Sequence, residues 1–253
     1  MISARALSDI PEVRAGDDLA ELIVAALDAE RPPLPLANGQ IVAVAHKVVS
    51  KAEGAVVVLG GISPSPRASE IAGAQGKDPR AVQVVLDQSQ ELLRVANGVL
   101  ICRTHHGFVC ANAGVDTSNA ADADTLIVLP ADPDASARHL RTRLHKLTGA
   151  RVAVLITDSF GRAWRHGQCD VTIGCAGLQP LDDWRGRTDS VGLQLRATWL
   201  AVADAAAATA DLARAKDSRE PLVIFDGLER FVTEEDGPGA VALLRPLEED
   251  LFR

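Results

Sequence analysis

Val152-Ala-Val-Leu-Ile-Thr-Asp-Ser-Phe-Gly-Arg162 decides the fold class. Five apolar residues in a row read as a strand buried on both faces, the pattern of a sheet covered by helices on either side. The run ends abruptly in Thr157-Asp158, and the carboxyl ends of strands are where α/β sheets place their ligands. Ile41-Val-Ala-Val-Ala45 and Pro221-Leu-Val-Ile-Phe225 repeat the apolar pattern and predict two more strands of a mixed sheet. Val56 to Leu59 and Thr125 to Leu129 are further strands, and Val99 to Cys102 pairs with Gly107 to Cys110 around Thr104-His-His106.

Between the strands the periodicity turns helical. Asp17-Asp-Leu-Ala-Glu-Leu-Ile-Val-Ala-Ala-Leu27 opens on acidic caps and repeats apolar residues at helical spacing. Asp78 to Leu93 reads as a capped amphipathic helix, Asp134 to Leu147 as a basic-faced one, and Thr198 to Ala215 as an alanine-rich one. Pro64-Ser-Pro66 and Glu234 to Pro238 read as loop and turn. No repeat, low-complexity tract or linker interrupts the pattern. Residues 1–253 therefore form one α/β domain, at most as two intimately packed lobes.

Composition narrows the partners. A net charge of -8, 3% aromatic residues and no Tyr leave no general basic or stacking surface for nucleic acid. No apolar run approaches the roughly 20 residues of a membrane span. The four cysteines have no CxxC spacing, and Met1-Ile-Ser-Ala-Arg5 has no basic segment leading into an apolar one. Reduced thiols in the cytoplasm are the expectation.

Two polar segments sit against these buried runs: Val109-Cys-Ala-Asn-Ala-Gly-Val-Asp-Thr-Ser-Asn119 and Thr157-Asp-Ser-Phe-Gly-Arg-Ala-Trp-Arg-His-Gly-Gln-Cys-Asp170. Both read as glycine-marked turns. Asp116 and Asp158, with the Ser159 hydroxyl, are oxygen ligands suited to Mg²⁺ or Mn²⁺, which keep waters and take phosphate to complete their shell; the competing reading is that both carboxylates cap turns. Lys47 and Lys51, four apart in His46-Lys-Val-Val-Ser-Lys51, share one face if the segment is helical and could reach a polyphosphate, or stand solvated. Arg162, Trp164 and Arg165 fall in one short loop between glycines, where two guanidiniums and a flat ring would grip an anionic substrate, or the indole would anchor a surface loop. Neither Gly-x4-Gly-Lys-Ser/Thr nor Gly-x-Gly-x-x-Gly occurs, so this is neither a P-loop enzyme nor a dinucleotide fold by motif. The His105-His106 and Cys102/Cys110 spacing fits no structural zinc pattern, and Ser159 lacks the surroundings of a nucleophile elbow.

These motifs, together with Ile10-Pro-Glu-Val13, Gly16-Asp-Asp-Leu19, Lys47-Val-Val-Ser-Lys-Ala-Glu-Gly54 and the tail Arg245 to Arg253, resemble the F-420-0:gamma-glutamyl ligase family over nearly the whole chain. The resemblance implies a mixed-sheet α/β fold of the family's own kind, not a Rossmann domain. It implies a homodimer that attaches L-glutamate to F-420-0 using GTP, with two Mg²⁺ or Mn²⁺ ions and a K⁺ ion. It assigns Asp116, Asp158 and Ser159 to metal. Ile10, Pro11, Glu12, Val13, His46, Lys47, Lys51, Asn119 and Lys216 it assigns to the nucleotide, with Asp116, Asp158 and Lys51 catalytic. Three positions depart from the family's pattern: His46 replaces a small polar residue, Ala215-Lys216 replaces a Gly-Lys or Gly-Gln pair, and Asp226 replaces an Arg before Gly227. A diverged ligase acting on another carboxylate cofactor, or a non-catalytic nucleotide-binding homologue, are the alternatives.

Overall fold

In a computed structural model describing residues 1–8, 10–117, 123–215 and 217–250, the chain begins with β1 (Ser3–Leu7), α1 (Leu19–Ala29), β2 (Ile41–Ala45), α2 (His46–Ala52), β3 (Val56–Val58), α3 (Pro66–Gln75), α4 (Pro79–Asp87), β4 (Ser89–Ala96) and β5 (Val99–Thr104). It continues through β6 (Val109–Ala111), β7 (Thr125–Ile127), α5 (Pro133–Thr148), β8 (Ala153–Arg162), β9 (Arg165–Ala176), β10 (Leu181–Asp183), β11 (Trp199–Ala201), α6 (Val202–Ala213) and β12 (Leu222–Asp226).

The apolar runs at 41–45, 152–156 and 221–225 lie side by side, as their composition demands. The main sheet has the order β1-β12-β2-β8-β9, with β2 and β8 parallel and the other neighbours antiparallel. Alternate residues feed two cores. Val42, Val44, Val154, Ile156 and Ile224 pack under α1 and α5 through Ile23, Leu27, Leu140 and Leu144. Ile41, Ala43, Leu155, Val223 and Phe225 pack under α6 through Val202, Ala203, Ala206 and Ala210. Each fully buried aliphatic side chain contributes about 1.5–3 kcal/mol. Leu144, with no exposed surface, would cost about 2–5 kcal/mol on truncation to Ala.

The helix ends follow their sequence signals. Asp18 caps α1 by accepting from Ala20 and Glu21 N–H at 3.0 and 3.2 Å. Asp132 caps α5 ahead of Pro133, and Gly149 closes that helix with φ 74°. Several segments differ from the sequence reading. The helix expected over 78–93 stops at Asp87, and the remainder is β4, paired with β5. Ser89 Oγ donates to Val85 O at 2.6 Å to seal the helix end. Asn97 and Gly98, both left-handed at φ 52° and 75°, then make the two-residue hairpin turn that this dipeptide favours. Strand pairing outweighs helix propensity there. Pro64-Ser-Pro66 starts α3, with Ser65 as N-cap and Pro66 in its first turn. Trp199–Ala201 is an extended strand ahead of a shorter α6, and β1 pairs along the edge of the main sheet without an apolar run to announce it. Thr157 to Asp170 is no turn but the outer half of the long β8–β9 hairpin.

Candidate active site

The site forms where β2 and β8 leave the buried sheet. A register shift between Ile156 and Thr157 marks that exit on the β8–β9 pair, the kind of bulge that re-aims side chains at sheet rims. Beyond it Asp158 and Phe160 lie on the α1/α5 side, with Phe160 packed against that core. β2 runs straight into α2, so His46 and Lys47 arrive beside them.

Asp116 comes from the opposite wall. Asn112, Ala113 and Gly114 are all left-handed, at φ 51°, 52° and 71°, a costly conformation for two non-glycine residues. Gly114 is required twice over, because a Cβ there would also meet the Leu129 side chain at 2.7 Å. The strained turn is held by Asn112 Oδ1, which accepts from Leu100 N–H at 3.2 Å. Paired N–H···O bonds of 2.9 Å between Asp116 and Ile127 then fix the backbone of Asp116. Its carboxylate meets Lys47 Nζ at 2.7 Å.

Asp158 accepts from the Ser159 backbone N–H at 2.8 Å and faces His46. The imidazole is buried, at 1% exposure. Its Nδ1 lies 3.2 Å from Ser50 Oγ, and its Nε2 stands 3.3 Å from Asp158 Oδ1, off the line of a hydrogen bond. Between the walls is a cleft of about 190 Å³ lined by Asp116, Gly114, Asp158, Phe160 and Gln168 among others. Cys110 also lines it, and burial, with the nearby Asp158 charge, pushes its thiol up to about 12. Lys51, one turn beyond Lys47, pairs with Glu12. Of the 10–13 segment, Val13 is buried, Ile10 packs against the core, and Pro11 and Glu12 are exposed.

Asp116, Asp158, His46, Lys47, Lys51 and Glu12 thus gather around α2. The predicted helical face carrying Lys47 and Lys51 is present. Ser159 is placed differently: its hydroxyl donates to Asp170 Oδ1 at 2.6 Å, and Asp170 pairs with Arg214 at the end of α6. Strand alternation has turned it to the other face from Asp158. Arg162, Trp164 and Arg165 form the hairpin tip, about 13 Å along the strand from Asp158, and none of them lines the cleft. Trp164 is 80% exposed with φ 58°, and Arg162 Nη2 donates to His166 O at 2.6 Å. Asn119 and Lys216 lie outside the described residues.

The sequence reading did not single out the polar cluster on the α6 side. There Thr157 Oγ1 donates to Asp170 Oδ2 at 3.0 Å, and Arg214 binds both. Thr172 N–H donates to Asp204 Oδ1 at 2.9 Å, and burial lifts the Asp204 carboxyl above its ordinary value. The apolar alternation of Val171-Thr-Ile-Gly-Cys-Ala176 was the available signal for β9, and with it for the facing of Asp170 and Thr172. Nothing local marks Arg214.

The donor set around the cleft fits a hard divalent cation. Two carboxylates converge there, each now facing a nitrogen group, Lys47 or His46. Among the described residues no three or more His, Cys, Asp and Glu side chains are placed to hold a metal ion together. Two protein carboxylates leave room in the shell for water and phosphate oxygens. A family model described as F420-0:Gamma-glutamyl ligase matches residues 8–227.

The chain belongs to the F420-0:gamma-glutamyl ligase family.

Among its relatives, the coenzyme F420:L-glutamate ligase of Methanopyrus kandleri is 45% identical over 244 residues, 96% of this chain and 94% of the relative. That of Methanothermobacter thermautotrophicus is 43% identical over 253 residues, covering 100% and 99%. That of Methanocaldococcus jannaschii is 40% identical over 248 residues, covering 97% and 94%. The mixed α/β sheet described above is thus a fold of this ligase family. No helix among the described residues is long and apolar enough to cross a membrane.

Proposed function

We infer that the protein is a GTP-dependent ligase that joins L-glutamate to F-420-0 in coenzyme F-420 biosynthesis. The observation that carries this reading is the convergence of Lys47 on Asp116 and His46 on Asp158 across one cleft, in a chain whose relatives bear that ligase name. Forming an amide from a carboxylate requires a leaving group on the acyl carbon. GTP supplies it: the terminal carboxylate of F-420-0 takes the γ-phosphoryl group, giving an acyl phosphate and GDP. The glutamate amine then attacks the acyl carbon, loses a proton and expels inorganic phosphate.

Asp116 and Asp158 would hold Mg²⁺ or Mn²⁺, which offsets the charge on the phosphates. Lys47, released from Asp116, and Lys51, released from Glu12, would turn their ammonium groups to the phosphate oxygens, so that positioning and electrostatics lower the barrier. His46 is buried, so its contribution to the nucleotide is to shape the wall rather than to reach the ligand. Arg162 and Arg165 at the hairpin tip, with Trp164, would hold the anionic acceptor where it enters. A homodimer is part of this reading: Trp164 at the hairpin tip, and Val191, Leu193, Trp199 and Leu200 between β10 and the end of β11, expose apolar side chains that a second copy would cover.

Incubating the protein with F-420-0, L-glutamate, GTP and Mn²⁺ should yield a product heavier by one glutamyl residue, with one GDP formed per amide bond. Folded protein that makes no such product with Mg²⁺ or Mn²⁺ would refute the assignment.

A further inference from the structure

The β8–β9 hairpin carries a second set of oxygens on its α6 side that the ligase reading leaves unused. Thr157 Oγ1, Ser159 Oγ and both carboxylate oxygens of Asp170 converge there, with Ser159 and Thr157 donating to Asp170 at 2.6 and 3.0 Å. One carboxylate with two hydroxyls is the donor chemistry of a hard cation. The structure fills it from within. Arg214 Nη2 bridges Thr157 Oγ1, at 2.9 Å, and Asp170 Oδ2, while Nη1 donates to the Pro221 carbonyl at 3.2 Å.

Two features separate this arrangement from a surface ion pair. Both partners are sealed, with side-chain exposures of 9% for Arg214 and 2% for Asp170. A single nitrogen contacts the hydroxyl and the carboxylate together, which is where an ion shared by those oxygens would stand. A guanidinium keeps its charge at every pH a protein meets, so the cluster is permanently neutralised. The same contacts engage the Ser159 hydroxyl with Asp170, although Ser159 itself lines the cleft beside Asp158.

We propose that Arg214 is a built-in cation: it occupies the α6-side oxygen set, so that each chain binds one divalent ion, through Asp116 and Asp158, and none through Ser159 and Asp170. The stoichiometry rests on the cation site proposed above, whereas the role of Arg214 does not.

Counting Mn²⁺ per chain by the free-ion EPR signal during titration tests both. Wild-type protein should bind one ion, lost in Asp158→Asn and retained in Asp170→Asn. Arg214→Met should gain a further ion, and adding Asp170→Asn to it should remove that gain. A wild-type count of two with one ion lost in Asp170→Asn, or no gain in Arg214→Met, overturns the proposal. If Arg214→Met does not fold without metal, the doubly uncharged Asp170→Asn/Arg214→Gln protein decides the matter: a count equal to wild type upholds the proposal, and a count one lower overturns it. Wild-type protein that binds no Mn²⁺ while Arg214→Met gains an ion dependent on Asp170 would uphold the role of Arg214 and discard the Asp116–Asp158 site instead.

Discussion

The two faces of the outer β8–β9 hairpin carry similar chemistry in opposite states. On the α2 side Asp158 and Asp116 face His46 and Lys47 across an open cleft, with the Lys47–Asp116 pair 23% and 32% exposed. On the α6 side Asp170 meets Arg214 with almost no solvent at either group. An open pair can exchange one partner for a ligand, because water and phosphate oxygens compensate the group released. A sealed pair cannot, since removing one member strands the other in a poorly solvating interior. The Lys47–Asp116 pair is thereby the replaceable one and the Arg214–Asp170 pair the fixed one, with Asp158, 13% exposed beside a His46 of 2%, between the two.

Breaking the fixed pair should have the largest effect. Arg214→Ala in metal-free buffer is expected to lose about 3–5 kcal/mol of stability, read as a fall of the melting temperature of roughly 10 °C; a loss below 1 kcal/mol would show that the α6 side is no more sealed than the cleft. On the open side Asp158→Asn should lower turnover about 10²- to 10³-fold with its circular dichroism spectrum and melting temperature kept. Lys47→Ala sharpens the contrast further. It should shift stability by no more than about 1 kcal/mol, as half-exposed pairs do, while raising the KM for GTP; a stability loss matching that of Arg214→Ala would erase the distinction.

The smallest effect concerns Asp204, the second carboxyl on the sealed side. Burial raises its pKa above 3.8, so the folded protein keeps a proton that the unfolded chain releases. Its contribution to stability is therefore present at low pH and is lost as pH rises from 3.8 through the raised value. Asp204→Asn keeps an oxygen for the Thr172 N–H and removes that titration. Urea midpoints measured between pH 4 and pH 7 should fall less with pH in the variant than in wild type. Parallel curves would mean that Asp204 is as well solvated as the cleft carboxylates.

The sequence was most informative where burial is complete. Ile41–Ala45 and Val152–Ile156 are apolar at every position because helices cover both faces, and that pattern needs no partner to be read. Lys47 and Lys51 were placed correctly on one helical face by their spacing alone, and the two aspartates do face one cleft. The hairpin beyond Ile156 was less legible. Its outer residues are mostly polar, and Phe160 alone is too little for a period-2 pattern to show, so the engagement of the Ser159 hydroxyl by Asp170 was not legible. Arg214 lies 44 positions from Asp170, a pairing fixed by how α6 packs on β9. The Asn97-Gly98 turn, by contrast, was legible in the sequence, but the residues ahead of it, through Leu93, were read as one helix rather than as a helix and the first strand of a hairpin.

The positions of the aromatic residues also determine what spectroscopy can see. The chain has three Trp and no Tyr, and Trp164, Trp184 and Trp199 all lie outside the packed clusters, at the hairpin tip and around β10–β11. Intrinsic fluorescence therefore reports on the rim of the molecule and is nearly blind to the main sheet. A melt followed by tryptophan emission can run ahead of one followed by far-UV circular dichroism through loosening of the rim alone, so their non-coincidence would not by itself establish a folding intermediate.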